Sequence, residues 1–320
     1  MTDHDLQGIV ATLPDLVRVR PQRGLTGFAP SGRVATHQWG ANRSFYRGSG
    51  MEFAESRLYQ PGDDVKSIDW RVTARTGHAY TKLFQEERER PVVILTDMRA
   101  MMQFGTRNRF KANLAAEVAA MMAWTGHDGG DRVGGLVMTR DGLRDFRAAR
   151  TRRSVLGLLE ALSEETRLER ASGSEVSLAR ALRRLRHRNR PGTLAFVISD
   201  FSDFDEEAET ELRHLAVNAH VTNIQISDPF DAALPPRGGR LTDGEHALAV
   251  SALVGRKLER YAHEFEARRE RLERVSRHHG MVCHFLQTSD DPSWILHPHL
   301  NRSMAAYRVL CIAHRSKFCG

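Results

Sequence analysis

The chain has 320 residues, of which 41% are apolar and 27% charged, and it carries a formal net charge of +7. That balance excludes a disordered or collagen-like chain and leaves enough apolar material for one large domain or two modest ones. Its three cysteines, Cys283, Cys311 and Cys319, form no disulfide framework and fit a reducing compartment.

Residues 1–19 carry Asp3, Asp5 and Asp15 and do not read as a signal peptide. No run approaches the roughly 18 apolar residues of a membrane-spanning helix. The expectation is a cytoplasmic protein whose membrane contact, if any, is peripheral. The basic balance keeps nucleic acid and anionic surfaces in view as partners.

A helix is expected over 6–18, followed by a Gly/Pro-punctuated connector to residue 30. Residues 31–90 are broken by Gly48, Gly50, Pro61, Gly62 and Gly77 and read as a small β-rich subdomain of strands and loops. A regular alternation then begins. Val92, Val93, Ile94 and Leu95 form an apolar run ending at Asp97, the signature of a strand buried on both faces.

Helices are expected at 109–124, 153–165, 177–188, 206–217 and 254–278. Strands are expected at 132–139, 193–199, 220–226 and 281–286. A turn at Asp141-Gly142 leads into an edge strand reaching Phe146, and a small hairpin at 237–250 turns at Asp243-Gly244. Leu258, Tyr261, Phe265, Leu272 and Val275 form the apolar stripe of the last helix. Alternating strands and helices imply a doubly wound, mostly parallel α/β sheet, Rossmann-like in its winding. The expected organisation is 1–30 helix and connector, 31–90 subdomain, 91–300 main domain and 301–320 tail.

Open α/β sheets bind ligands beyond the carboxyl ends of their strands. Reading each strand to that end gives Asp97, Asp141, Asp200 with Asp203 and Asp205, Asp228 with Asp231, and Asp290 with Asp291. The opposite edge collects arginines, Arg183 to Arg190 above all. Acids at helix N-termini and bases at C-termini complement the macrodipole, so this sorting has an ordinary explanation as well as a functional one. Few aromatics lie near the arginine run to stack bases, which makes nucleic acid the lesser reading.

Catalytic signatures are missing. There is no phosphate-binding loop, nucleophile elbow or zinc helix, and Gly48-Ser49-Gly50 lacks the third glycine of a dinucleotide fingerprint. Cys283-His284 and His297-Pro298-His299 could suggest zinc, but neighbours on a strand point to opposite faces.

One long pattern is specific. It runs Gly50-Met51-Glu52-Phe53-Ala54-Glu55, then Arg57-Leu58-Tyr59-Gln60-Pro61-Gly62-Asp63-Asp64-Val65, then Ile68-Asp69-Trp70 and Ala74-Arg75. Asp97, Phe104-Gly105 and Gly130-Asp131-Arg132-Val133-Gly134 follow. The pattern resembles a widespread bacterial family of unknown function (domain of unknown function 58) that has a von Willebrand factor A-like domain and whose genes commonly sit beside MoxR-type AAA+ ATPases. The resemblance implies a von Willebrand factor A-like fold and an accessory role with such an ATPase in chaperone-like assembly or maturation of client proteins. It implies no known reaction.

Domains of that fold often hold a divalent ion through Asp-x-Ser-x-Ser, with a Thr and an Asp from later loops. Here the segment is Asp97-Met98-Arg99-Ala100-Met101, so Arg99 and Met101 replace both serines. The Thr falls near Val176, and Asp200 matches the later Asp. Asp97, Arg99, Met101 and Asp200 are therefore remnants of a degenerate site, in which Arg99 either takes the cation's place and bridges Asp97 to Asp200 or points to solvent while the aspartates cap loops and helices.

The resulting expectation is a non-enzymatic protein-interaction module with no cofactor, metal or catalytic residue. Its partner would be a MoxR-type ATPase, a client protein, or both. The interaction candidates are Tyr59, Asp63, Asp64, Asp69, Trp70, Arg71, Arg75, Asp203 and Asp205, although the 63–75 segment also reads as structural, with Ile68 and Trp70 anchoring the subdomain and Asp69 and Arg75 pairing or capping turns. The alternatives are a nucleic-acid or anionic-surface binder using the Arg183–Arg190 edge and, more weakly, a metal-dependent hydrolase.

Overall fold

The structure, a computed structural model, describes residues 8–21, 25–28, 34–36, 51–61, 63–86, 91–167, 175–234, 240–242, 247–249 and 255–296. The chain divides into two compact units, one of residues 37–89 and one of residues 1–36 and 90–320.

In chain order, α1 (Leu13–Arg18), β1 (Leu25–Phe28) and β2 (Val34–Thr36) belong to the larger unit. The smaller unit holds β3 (Met51–Leu58), α2 (Trp70–Thr76) and β4 (Tyr80–Glu86). The larger unit resumes with β5 (Pro91–Asp97), α3 (Lys111–Asp128), β6 (Arg132–Thr139), β7 (Gly142–Ala149), α4 (Arg152–Glu165) and α5 (Leu178–Arg188). It continues with β8 (Thr193–Ser199), α6 (Glu206–Asn218), β9 (Ala219–Ser227) and α7 (Pro229–Ala232). It ends with β10 (Arg240–Thr242), β11 (Ala247–Ala249), α8 (Gly255–His278) and β12 (Val282–Gln287).

Six strands form the main sheet in the order β12-β9-β8-β5-β6-β7. All neighbours pair in parallel except β6 with β7, which is antiparallel. Taken in order of use, the strands run 3-2-1-4-5-6, the doubly wound order with helices on both faces. The expected α/β architecture is therefore the observed one.

One face packs on α3 and α4, with Ile94, Leu114, Trp124, Leu158, Phe196 and Ile224 in its core. The other packs on α5, α6 and α8, with Leu95, Leu182, Val197, Leu212 and Leu272 in its core. Gly134 and Gly135 of β6 permit close packing. A Cβ at Gly134 would lie 2.6 Å from the Ala148 nitrogen, and one at Gly135 would lie 2.6 Å from Leu158.

Three expectations are corrected. The first helix begins at Leu13 rather than residue 6, because Thr12 and Asp15 form a capping box and Pro14 lies in the first turn. The edge strand β7 passes Phe146 and runs to Ala149, carried past an irregularity in its pairing with β6 between Val133 and Gly135. Tyr261 lies at the rim of α8 rather than in its buried stripe, and its hydroxyl donates to the Phe230 carbonyl at 3.0 Å.

The hairpin expected at 237–250 is present as antiparallel β10 and β11, and its turn residues lie outside the described residues. So do His297, His299 and the tail. Among the described residues no helix is long and apolar enough to cross a membrane.

Candidate functional site: two buried cations at the carboxyl edge

Asp97 ends β5, the central strand, and Arg99 follows two residues later. The Arg99 guanidinium turns inward and is buried. Its Nε donates to Asp97 Oδ1 at 2.9 Å and its Nη2 to Asp97 Oδ2 at 2.7 Å. Its Nη1 and Nη2 donate to Asp203 at 2.7 and 2.8 Å, and Nη1 also reaches the Val176 carbonyl at 3.2 Å. Every N–H of the guanidinium fork is thus used.

Asp97 also accepts from the Ser199 hydroxyl at 2.7 Å and the Arg99 backbone N–H at 3.1 Å. Arg99 is therefore bounded by Asp97, the carbonyl of Val176 and an acid from the loop after β8. That acid is Asp203 and not the expected Asp200. The turn after β8 explains the change. Phe201 is buried with φ of 54°, a left-handed conformation rare for a bulky residue, and its N–H is held by the Ser199 hydroxyl at 3.0 Å.

Asp200 is held by a second cation. Lys111, the first residue of α3, is 1% exposed, and its Nζ lies 2.9 Å from Asp200 Oδ2 and 3.2 Å from Asp231 Oδ2. A cation at a helix N-terminus opposes the macrodipole, so the two carboxylates are what hold it there. Asp231 in turn accepts from the Asp228 backbone N–H at 2.8 Å. Asp228 accepts from the Thr106 hydroxyl at 2.6 Å and the Thr288 hydroxyl at 2.7 Å. The network thereby ties the loop after β5 and the start of α3 to the loops after β8, β9 and β12.

Burial opposes every charge here, and the partners decide the outcome. Burial works against ionised Asp203, yet Arg99 and the Leu178 N–H hold its carboxyl below the ordinary value. Burial likewise works against ionised Asp200, which Lys111 holds low. For Lys111 itself, burial favours loss of the proton, and Asp200 and Asp231 outweigh it and raise the pKa. Burial pushes the Asp97 and Asp231 carboxyls up despite their cations.

A depressed folded-state pKa gives stability that is present above the unfolded value and is lost as pH falls through the folded one. Asp203 therefore supports the fold above about pH 4 and ceases to as pH drops below it. Asp203→Asn is expected to flatten the acid limb of stability against pH, measured by urea denaturation between about pH 5 and pH 2.5. An acid limb as steep as wild type would count against this assignment.

The residues present do not fit a divalent ion. Both hydroxyl positions are lost, to Arg99 and Met101, and a guanidinium already spans Asp97 and Asp203. Among the described residues no group of three or more His, Cys, Asp or Glu side chains is placed to hold one. Burial pushes the Cys283 thiol up to about 12, which leaves it without nucleophilic character at neutral pH.

The remaining sequence candidates fall into two sets. Asp205 caps α6 through the Ala208 N–H at 2.8 Å, and Asp203 is engaged by Arg99. In the small unit Asp63 accepts from Arg57 at 2.7 Å and from the Gln60 N–H at 2.9 Å, while Asp64 accepts from the Lys66 N–H at 3.0 Å. Asp69 caps α2 through the Arg71 and Val72 N–H groups and takes the Ser56 hydroxyl at 3.0 Å. Tyr59 is half-buried and bonds through its backbone to Ala79.

These acids build the subdomain's turns, whereas Trp70, Arg71 and Arg75 face outward. Trp70 is 67% exposed, and Leu58 and Val65, which the sequence reading did not select, are 56% and 59% exposed. The reading also missed Lys111. Its signal was a lysine at the first position of a mostly apolar, alanine-rich helix.

Against known proteins, the model of the family described as "Protein of unknown function DUF58" matches residues 55–274. The chain belongs to that family. Among curated relatives, uncharacterized proteins of Mycobacterium tuberculosis and Mycobacterium bovis are each 35% identical over 191 residues. That match covers 60% of this chain and 59% of theirs.

Similar solved structures include BatB from Bacteroides thetaiotaomicron, with a TM-score of 0.39 at 14% identity over 68% of this chain and 99% of that one. The SpRpn10 VWA domain has a TM-score of 0.34 at 12% identity over 65% and 94%. A von Willebrand factor type A protein from Catenulispora acidiphila has a TM-score of 0.33 at 14% identity over 68% and 42%.

Proposed function

We propose that this DUF58 chain is a cytoplasmic, non-enzymatic protein-interaction module that partners a MoxR-type AAA+ ATPase in the assembly or maturation of client proteins. The observation that carries the interaction reading is the exposure of Trp70 at the start of α2, with Leu58, Val65, Arg71 and Arg75 exposed in the same small unit. Exposed large apolar groups cost solubility unless a partner covers them, and Trp and Arg are the residues on which interface energy concentrates. The ATPase partner comes from the family resemblance.

The carboxyl edge supports the same reading from the other side. Arg99 neutralises Asp97 and Asp203 and Lys111 neutralises Asp200 and Asp231, so these four carboxylates are not free to act as base, nucleophile or metal ligand. The anionic-partner alternative is weakened too. Arg183 pairs with Glu207 and Glu211, Arg186 with Glu211, and Arg184 and Arg188 with Asp145.

The test is binding of the full chain to a MoxR-type ATPase from the same genome, in its apo, ADP and ATP-analogue states. Association is expected in at least one state, and Trp70→Ala is expected to weaken it by about 2 kcal/mol, roughly thirtyfold, with unchanged circular dichroism. No association in any state would sink the ATPase reading. Association indifferent to Trp70 would move the interface elsewhere.

A further inference from the structure

We infer that a cavity at the amino edge of the sheet, between α5 and strands β5 to β7, binds a small anion of the phosphate class. It has a volume of about 170 Å³, and its polar lining is Arg132, Arg147, Arg188, Arg190, Asn189 and Asp145. Four arginines and one aspartate thus line it. That carboxylate is already compensated, because Asp145 pairs with both Arg184 and Arg188.

Arg132 spends one bond on the Ala148 carbonyl at 3.3 Å, which fixes its position while leaving other donors of the fork. Arg147 and Arg190 have no carboxylate partner among the described residues. Arginines without a carboxylate partner among the described residues therefore border this cavity, and planar guanidinium forks match the oxygens of a phosphate.

Helix-terminal charge complementarity does not explain the arrangement. It accounts for basic residues in the last turn of α5, but Arg132 comes from β6, Arg147 from β7, and Arg190 lies beyond the helix. The carbonyl end of α5 works against an anion here by about 0.3–1 kcal/mol, which a cluster of guanidinium groups exceeds.

Asn189 adds an independent sign. Its side-chain Nδ2 and Oδ1 are both shut off from solvent and find no hydrogen-bond partner among the described residues. An unpaired buried amide costs about 1–3 kcal/mol, so such a group on a cavity wall marks a place where a ligand or its water belongs.

The test is calorimetric titration of the full chain with inorganic phosphate and with pyrophosphate at low salt. A single saturable site is expected for at least one of them. The Arg147→Ala/Arg190→Ala double variant, whose two side chains are exposed, is expected to fold normally and to bind at least tenfold more weakly. An Arg256→Ala/Lys257→Ala control at the exposed start of α8 should bind as wild type does.

Titration with AMP separates the sources of the group. Tighter binding than inorganic phosphate assigns a phosphomonoester, and equal binding assigns the free ion. Absence of saturable heat with phosphate, pyrophosphate and AMP, or equal affinity in the Arg147/Arg190 variant, would overturn the proposal. Neither result bears on the ATPase partnership, which is read on different residues by a different assay.

Discussion

Arg99→Ala is expected to destabilise the larger unit by about 3–5 kcal/mol, the usual cost of removing one partner from a buried ion pair. The loss arises less from the missing attraction than from what remains. Asp97 is 1% exposed at the end of the central strand, and without the guanidinium it must either stay ionised in an apolar surround or take up a proton. The denaturation midpoint, followed on the buried Trp124 of α3, reads the effect. Ala and Met at position 99 should cost similar amounts if charge is the cause, whereas a packing cause would let Met recover most of the stability. An Arg99→Ala variant within about 1 kcal/mol of wild type would mean that the pair is solvent-screened, contrary to its burial.

A buried ion pair is weak evidence for net stabilisation, because well-packed apolar residues often do as well. What Arg99 supplies instead is geometry. Its planar fork fixes Asp97, Asp203 and the Val176 carbonyl together, which sets the loop after β5 against the start of α5 and the loop after β8. A divalent ion would hold such loops only while bound. A covalently attached guanidinium holds them permanently.

Much of this edge was legible in the sequence, and the physical reasons mark where legibility ended. The strands announced themselves as apolar runs such as Val92–Leu95 and Thr193–Ser199, because a strand buried on both faces admits little else. Arg99 announced itself by standing where the resemblance implies a serine, two residues beyond the Asp that ends the strand.

Its second partner was not legible. The choice between Asp200 and Asp203 rests on the left-handed φ at Phe201, which a phenylalanine gives no reason to expect. The exposure of Leu58 and Val65 was hidden for the opposite reason, since apolar residues beside a turn usually turn inward. Lys111 required knowledge that the start of α3, the end of β8 and α7 converge at one point. Sequence periodicity carries no information about such convergence.

Lys111→Met provides the sharpest test of that convergence. Methionine keeps most of the length and apolar stem of lysine and removes only the charged head. The variant leaves Asp200 and Asp231 facing each other with no cation between them, and a loss of about 3–5 kcal/mol is expected at neutral pH. The pH dependence separates charge from packing. In the variant both carboxyls lose the cation that opposes burial, so Asp200, held low in the wild type, is expected to rise above the unfolded value and Asp231, already raised, to rise further. A carboxyl raised in this way costs stability when ionised, and that cost disappears as pH falls through its folded pKa. The gap between variant and wild type should therefore narrow on acidification from pH 7 towards pH 4, and Asp200→Asn placed in the Lys111→Met background should recover part of the loss at pH 7. A gap that stays constant across that range, with no recovery from Asp200→Asn, would show that Lys111 matters for its bulk and that the two aspartates do not depend on its charge.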